Sequence, residues 1–562
     1  MKKMRWQILI LVLALVAIGV LLIGQQPNIL PTSPEVEPTT GGVYAEGLIG
    51  SLGRLNPVLD FYNQPDRDVD RLLFSSLLRF NDRGLPVHDL VESMGISQDG
   101  RIYNFSIREN VVWHDGKPLT SEDVVFTVEM LRSPDLPVPE DIRALWETVE
   151  VEALNEYTLQ FRLPEPFSPF QDYLTFGILP KHLLGDIPAS EMVDAGFNLQ
   201  PVGSGPFKFD SILGEGDQIS GVVLTPNPDY YAEPPFIEEF IFRYYPDHQT
   251  AVTAYQEGEI QGISRITNEI LPAALQAPGL NLYSGPIPLL SMIFLNLDNP
   301  EAPFLQDGSI RRALYMGLNR QHMIDALLGS QAILAHGPIF PNSWAYYAGI
   351  EQVPYDAEGA IRILREAGYT IPASGGSVRT NEDGQALNIE LVYPEDSSYQ
   401  PIAQAIASDW RAIGVGVELN PMPYEDVVST YLEPRAFQAA LVDLNFSRTP
   451  DPDPYPFWHQ AQITGGQNYA KWDDRQASEY LEQARIEVDI EERTRLYNNF
   501  QVRFASELPS LPLFYPIYNY AVDEQVQGVT MGPLYDPSDR LVTAPQWFLL
   551  AGRAPAENTP TP

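Results

Sequence analysis

The stretch Thr449 to Trp458 (TPDPDPYPFW) carries two carboxylates, Asp451 and Asp453, between prolines at 450, 452, 454 and 456. Proline donates no backbone hydrogen bond and pushes the residue before it toward extended geometry. A stiff, extended loop is therefore expected. Side chains two apart on an extended chain share a face, so the two aspartates should point the same way. Such a pair can perform acid–base work across a glycosidic bond, at a separation of about 5–10 Å. It can equally cap a turn or stand in solvent. With 74 acidic residues in the chain, no other carboxylate pair is distinctive.

Other chemistry is sparse. The 7 histidines are scattered and no H-E-x-x-H occurs, so no metal site is expected. There is neither a G-x-x-x-x-G-K-[ST] phosphate loop nor a G-x-S-x-G elbow. Gly203-Ser204-Gly205 comes nearest, but Val202 and Pro206 break the pattern; it reads as a tight turn before a strand at Phe207-Lys208-Phe209. The count of 0 cysteines removes disulfides, thiolate metal sites and a thiol nucleophile. No catalytic residue, metal or cofactor is expected.

The chain has 562 residues, and two or three domains are expected. Lys+Arg at 35 against Asp+Glu at 74 leave a formal charge of −39. That charge repels phosphate backbones and anionic membrane surfaces, which argues against nucleic acid as a partner. Lys2, Lys3 and Arg5 precede an apolar run from Ile8 to Ile23, and the next basic residue is Arg54. This is the layout of an export segment whose start stays in the cytoplasm. No small-x-small cleavage pattern follows, so residues 1–24 are expected to remain as a membrane anchor. Residues 25–42 and 553–562 are rich in Pro and Thr and read as a disordered linker and tail.

Between these ends strands and helices alternate. Tyr103, Phe105 and Ile107, and then Tyr157, Leu159, Phe161 and Leu163, alternate with polar residues as half-buried strands do. Thr120 with Asp123 forms a capping-box pattern ahead of Val124, Val125, Val128 and Leu131. One helix is expected over Ser309–Gly329, another from Asp356 to Gly368, and a third ending at Gly414. The alternation predicts an α/β protein.

The block from Met94 to Leu131 contains Ile107-Arg108, Trp113-His114-Asp115-Gly116, Pro118-Leu119-Thr120 and Asp123-Val124. It closely resembles the signature of the family 5 extracellular solute-binding proteins, which serve ABC importers for peptides, nickel or oligosaccharides. GGVYAEGLIGSLGRLNP, PVGSGPFKF, AYQEGEIQG and IRRALYMGLNRQHMID resemble further family blocks, in the family's order. Taken by itself, Trp113-His114-Asp115-Gly116 is a turn sequence, and a structural role is preferred for it over ligand contact.

The resemblance implies a two-lobed, periplasmic-binding-protein-like clamp of type II with an extra inserted domain. Lobe 1 would comprise 43–60, 203–285 and 507–550, the inserted domain 61–202, and lobe 2 286–506. A solute, expected to be an oligopeptide, would bind between the lobes of a monomer and pass to a permease and its ATPase at the extracytoplasmic face of the membrane. An oligosaccharide is the alternative ligand, and an extracellular hydrolase of peptides or glycans the rival class. Asn56 would lie in a ligand-facing loop. Asp451-Pro452-Asp453 resembles the family's Asp-Pro-Asp, and Arg448 stands where the peptide-binding relatives carry an amine-binding aspartate. Arginine cannot hold an ammonium group but can pair a carboxylate. Asp443 or Asp451 could take the amine instead, and Tyr455, Phe457 and Trp458 would suit stacking on a sugar.

Overall fold

The structure, a computed structural model, describes residues 38–215, 218–447 and 450–550. The expected anchor and tail, most of the linker, and Arg448 lie outside the described residues. Among the described residues no helix is long and apolar enough to cross a membrane.

A twelve-stranded mixed sheet forms the frame. Its first half gathers Val43–Ile49, Phe207–Glu215, Gln218–Pro226, Glu239–Tyr245 and Gly262–Ile263. Its second half gathers Leu289–Leu295, Asn388–Pro394, Gly416–Met422 and Ala439–Asn445. The long strand Ser510–Asp523 belongs to both. Its beginning pairs antiparallel with Leu289–Leu295, Ser291 facing Phe514 and Phe294 facing Ser510. Its end pairs with Gly262–Ile263 and with Leu280–Pro286. Segments distant in sequence meet here because parallel neighbours need crossover connections: Val43–Ile49 runs parallel to Glu239–Tyr245.

The segment between the first two frame strands builds its own antiparallel sheet from Val91–Ile96, Ile102–Ile107, Glu150–Asn155 and Thr158–Arg162. Tyr103, Phe105 and Ile107 turn inward as their alternation predicts, and they share one continuous core with Tyr44 of the frame and with Trp547 near the C-terminal end of the described residues. The helix Ser121–Arg132 starts at the expected capping box, with Asp123 accepting from the Thr120 amide at 2.8 Å.

The signature turn has a structural task. The N–H of Gly203 donates to Nδ1 of His114 at 3.1 Å, and the other ring nitrogen lies 3.1 Å from the carbonyl of Gly205. The first bond makes Nδ1 the acceptor, so Nε2 carries the proton. Burial holds the imidazole neutral, with its pKa lowered to about 4. A Cβ on Gly203 would sit 1.8 Å from the carbonyl oxygen of Leu73, so only glycine fits between that helix end and the His114 turn.

One expected helix is broken. Gly308–Met316 stops at Gly317, and a short helix Arg320–His322 begins after Asn319. Asn319 caps the new start by accepting from the His322 amide at 3.2 Å, and its own amide donates to Asp409 at 2.8 Å. Glycine and an N-capping asparagine outweigh the apolar periodicity here. The helices Ala357–Glu366 and Tyr399–Ala412 form where expected.

Candidate functional site

The proline-rich loop follows the strand Ala439–Asn445. It is extended only at first: Tyr455–Trp458 closes into a helical turn. Asp451 is 4% exposed. Its Oδ2 accepts from Arg493 at 2.5 Å and its Oδ1 from the Tyr497 hydroxyl at 3.3 Å. Asp453 receives Arg485 in a fork, at 3.0 Å from Nε and 2.8 Å from a terminal nitrogen. Both aspartates thus face the helix pair Arg475–Ile486 and Ile490–Glu507. Their partners are cations of this chain, which accounts for two carboxylates in so stiff a loop. Burial pushes the Asp453 carboxyl up, and Arg485 opposes that rise.

The aromatics of the loop are likewise engaged. Tyr455 stacks on His459 with ring centres 4.0 Å apart, and the Arg485 guanidinium lies 4.1 Å from the Tyr455 ring centroid. Trp458 is 1% exposed and packs against Phe504 at 4.8 Å and Phe294 at 5.6 Å. Asn56 is fully buried: its amide donates to Asn198 and its oxygen accepts from Val58, each at 3.1 Å. Asp443 accepts from Ser291 at 2.5 Å and Tyr399 at 2.9 Å, and burial raises its pKa.

The loop also closes a seam. The N–H of Asp451 donates to Oδ2 of Asp172 at 2.6 Å, and Asp172 belongs to the turn Ser168–Leu174 of the inserted segment. Beside it Ser168 donates to the carbonyl of Glu487, and Arg485 lies 5.2 Å from the centroid of Phe167. Tyr535 donates to the carbonyl of Asn342 at 2.8 Å. Next to Pro450 and Pro452 the seam leaves a cleft of only about 10 Å³, roughly the space of one water.

The larger space lies behind Asp172. A cavity of about 180 Å³ is walled by Phe61, Phe74, Trp146 and Phe176, with Asp172 and Tyr535 at the side that reaches across the seam. Five aspartates (60, 70, 172, 536 and 539) and three arginines (67, 71 and 79) complete its wall. Arg67 pairs with Asp536 at 3.1 Å and Arg71 with Asp539 at 2.7 Å. Two roomier concavities, about 520 and 360 Å³, lie away from the seam contacts.

None of the residues singled out from the sequence lines the 180 Å³ cavity. Sequence reasoning missed Asp70 and Asp172. The available signal for Asp70 was the run Asp66-Arg67-Asp68-Val69-Asp70, which sets a carboxylate among the apolar residues Val69, Leu72 and Leu73 of the helix Gln64–Leu73. Among the described residues no group of His, Asp and Glu could hold a metal ion.

Comparison with known proteins places this architecture. The chain is 26% identical to the oligopeptide-binding protein AppA of Bacillus subtilis over 522 residues, covering 91% of this chain and 92% of that protein. It is 24% identical to the dipeptide-binding protein of Escherichia coli over 469 residues, 79% of this chain and 84% of that one. The solved structure of Bacillus subtilis AppA with a nonapeptide matches with a TM-score of 0.67 at 25% identity, over 92% of this chain and 100% of that chain. The unliganded open form of the murein tripeptide-binding protein MppA matches in fold with a TM-score of 0.75, over 91% of this chain and 98% of that one. The family described as bacterial extracellular solute-binding proteins, family 5, matches residues 86–466. The α/β frame is therefore that of a type II periplasmic binding protein, and the chain belongs to the family 5 extracellular solute-binding proteins.

Proposed function

We propose that this chain captures an oligopeptide and delivers it to the permease and ATPase of an ABC importer. It works as a monomer, held at the extracytoplasmic face of the membrane by its N-terminal segment, and performs no chemistry on its ligand. Lobe 1 is taken as 43–60, 203–285 and 507–550, the inserted domain as 61–202 and lobe 2 as 286–506. Binding between lobes is the common use of an interdomain cleft, and closure around the ligand is the signal a permease can read.

The observation that carries this reading is the seam at Asp172. Among the described residues, the inserted segment and the proline-rich loop touch there through a hydrogen bond of 2.6 Å. An aromatic-walled cavity opens directly behind the contact. A clamp needs such a contact, made when closed and broken when open.

Native mass spectrometry of the freshly expressed full chain tests the proposal. A retained series of peptide masses is expected. A hexose-spaced series, or turnover of added peptides, would overturn it.

A further inference from the structure

The helix Gln64–Leu73 carries three buried aspartates, and their circumstances differ. Asp66 accepts from the amides of Gly53 at 2.8 Å and Arg54 at 2.7 Å. Asp68 accepts from the buried guanidinium of Arg540 through both oxygens, each at 2.8 Å. Asp70 is 4% exposed, and neither of its oxygens has a hydrogen-bond partner. The Asn56 amide favours the charged form of Asp70 but falls short of hydrogen-bond geometry. A buried carboxyl without a hydrogen-bond partner destabilises the fold, so its retention calls for a reason.

Asp70 lines the 180 Å³ cavity. That space is many times the roughly 10–15 Å³ that one water needs, enough for one side-chain-sized group. Its aromatic walls suit the alkyl part of such a group and the face of a cation. The cavity's own cations are committed or peripheral: Arg67 and Arg71 pair with Asp536 and Asp539, and Arg79 is exposed. Asp60, 7% exposed, adds a second carboxylate to the same wall.

We propose that Asp70 receives an alkylammonium or guanidinium group of the ligand, so that the receptor selects peptides bearing lysine or arginine. This rests on the reading of the chain as a peptide receptor. The cation would supply the hydrogen-bond donors that Asp70 lacks, and the aromatic walls would exclude water from the pair. The peptide's α-ammonium and its basic side chain share this chemistry, and the experiment separates them.

The full chain is titrated calorimetrically with matched short peptides in which one lysine is replaced by norleucine, each with a free or acetylated amino terminus. n-Butylguanidinium is titrated alone. The lysine peptide is expected to bind at least about tenfold more tightly than its norleucine twin, the size of one charge-assisted hydrogen bond. The preference should survive acetylation and collapse in Asp70→Asn. Equal binding of the twins by the unaltered chain would overturn the proposal without needing any variant, as would a preference unchanged in Asp70→Asn. If acetylation abolishes binding whatever the side chain, and Asp70→Asn does the same, Asp70 takes the α-ammonium and the lysine selectivity is refuted. If no peptide binds, the peptide reading itself fails. The butylguanidinium titration then decides the cation site alone: binding lost in Asp70→Asn upholds it, and no binding overturns it.

Discussion

The N–H of Asp451 donates to the Asp172 carboxylate at 2.6 Å, joining positions 279 apart in the chain. The donor belongs to the main chain, so Asp451 keeps its own carboxylate for Arg493 while its backbone reaches across the seam. One residue thus anchors its loop inward and touches the opposite wall outward.

Removing that acceptor should open the clamp. Loss of a hydrogen bond to a buried carboxyl costs about 1 kcal/mol, a roughly five-fold shift in an open–closed equilibrium. Asp172→Ala is expected to raise the radius of gyration of the ligand-free chain in small-angle scattering. Asp172→Asn retains an acceptor oxygen and should stay near the parent. Identical radii for parent and alanine variant would remove the seam bond from the account.

Arg493 should matter chiefly through what it leaves behind. Arg493→Met strands the buried Asp451 carboxylate, and breaking one side of a buried ion pair costs about 3–5 kcal/mol. Urea unfolding should record a loss of that size. Adding Asp451→Asn to the same chain should recover part of it. A double variant no more stable than the single one would show that the stranded charge is not the cause.

Asp70 should make stability fall as pH rises. Burial first, then Asp60 and Asp66, holds its carboxyl well above the ordinary range. The folded chain therefore keeps a proton that the unfolded chain releases near about pH 4. The group's contribution is complete below that pH and is lost on the way up to the folded pKa. Asp70→Asn does not titrate, so it should gain on the parent as pH rises above the unfolded value of about 4. Parallel stability curves would show that the carboxyl is not raised.

His114 works in the opposite direction. Its folded pKa of about 4 lies below the ordinary histidine value of about 6.5. The unfolded chain takes up the proton first, so stability falls as pH drops from about 6.5 toward about 4, by up to roughly 3 kcal/mol. His114→Gln should be less stable than the parent at neutral pH, and the gap should narrow on acidification. A gap that stays constant with pH would contradict the buried neutral imidazole.

The frame was largely legible in the sequence because its signals are local. Alternation at Tyr103, Phe105 and Ile107 reports a half-buried sheet, and Thr120 with Asp123 reports a helix start within four residues. The site was not legible for the converse reason. Asp451 and Asp453 find their arginines 42 and 32 positions later, in a helix pair whose register against the loop has no local trace. Trp458 looked like a platform by residue type, yet Phe294 and Phe504 enclose it from a strand and a helix remote in sequence. Asp70 was hidden by abundance, since one aspartate among 74 acidic residues carries no mark until its neighbours are known to be satisfied.

The strand Ser510–Asp523 contributes hydrogen bonds to both halves of the frame and lies close to the end of the chain. Neither half-sheet can be completed until residues 510–523 have been synthesised. Contacts this far apart in sequence form slowly, because the intervening loop must close first. The order of synthesis thereby sets the order of assembly: the two half-sheets gain their shared member together, once Ser510–Asp523 has been made.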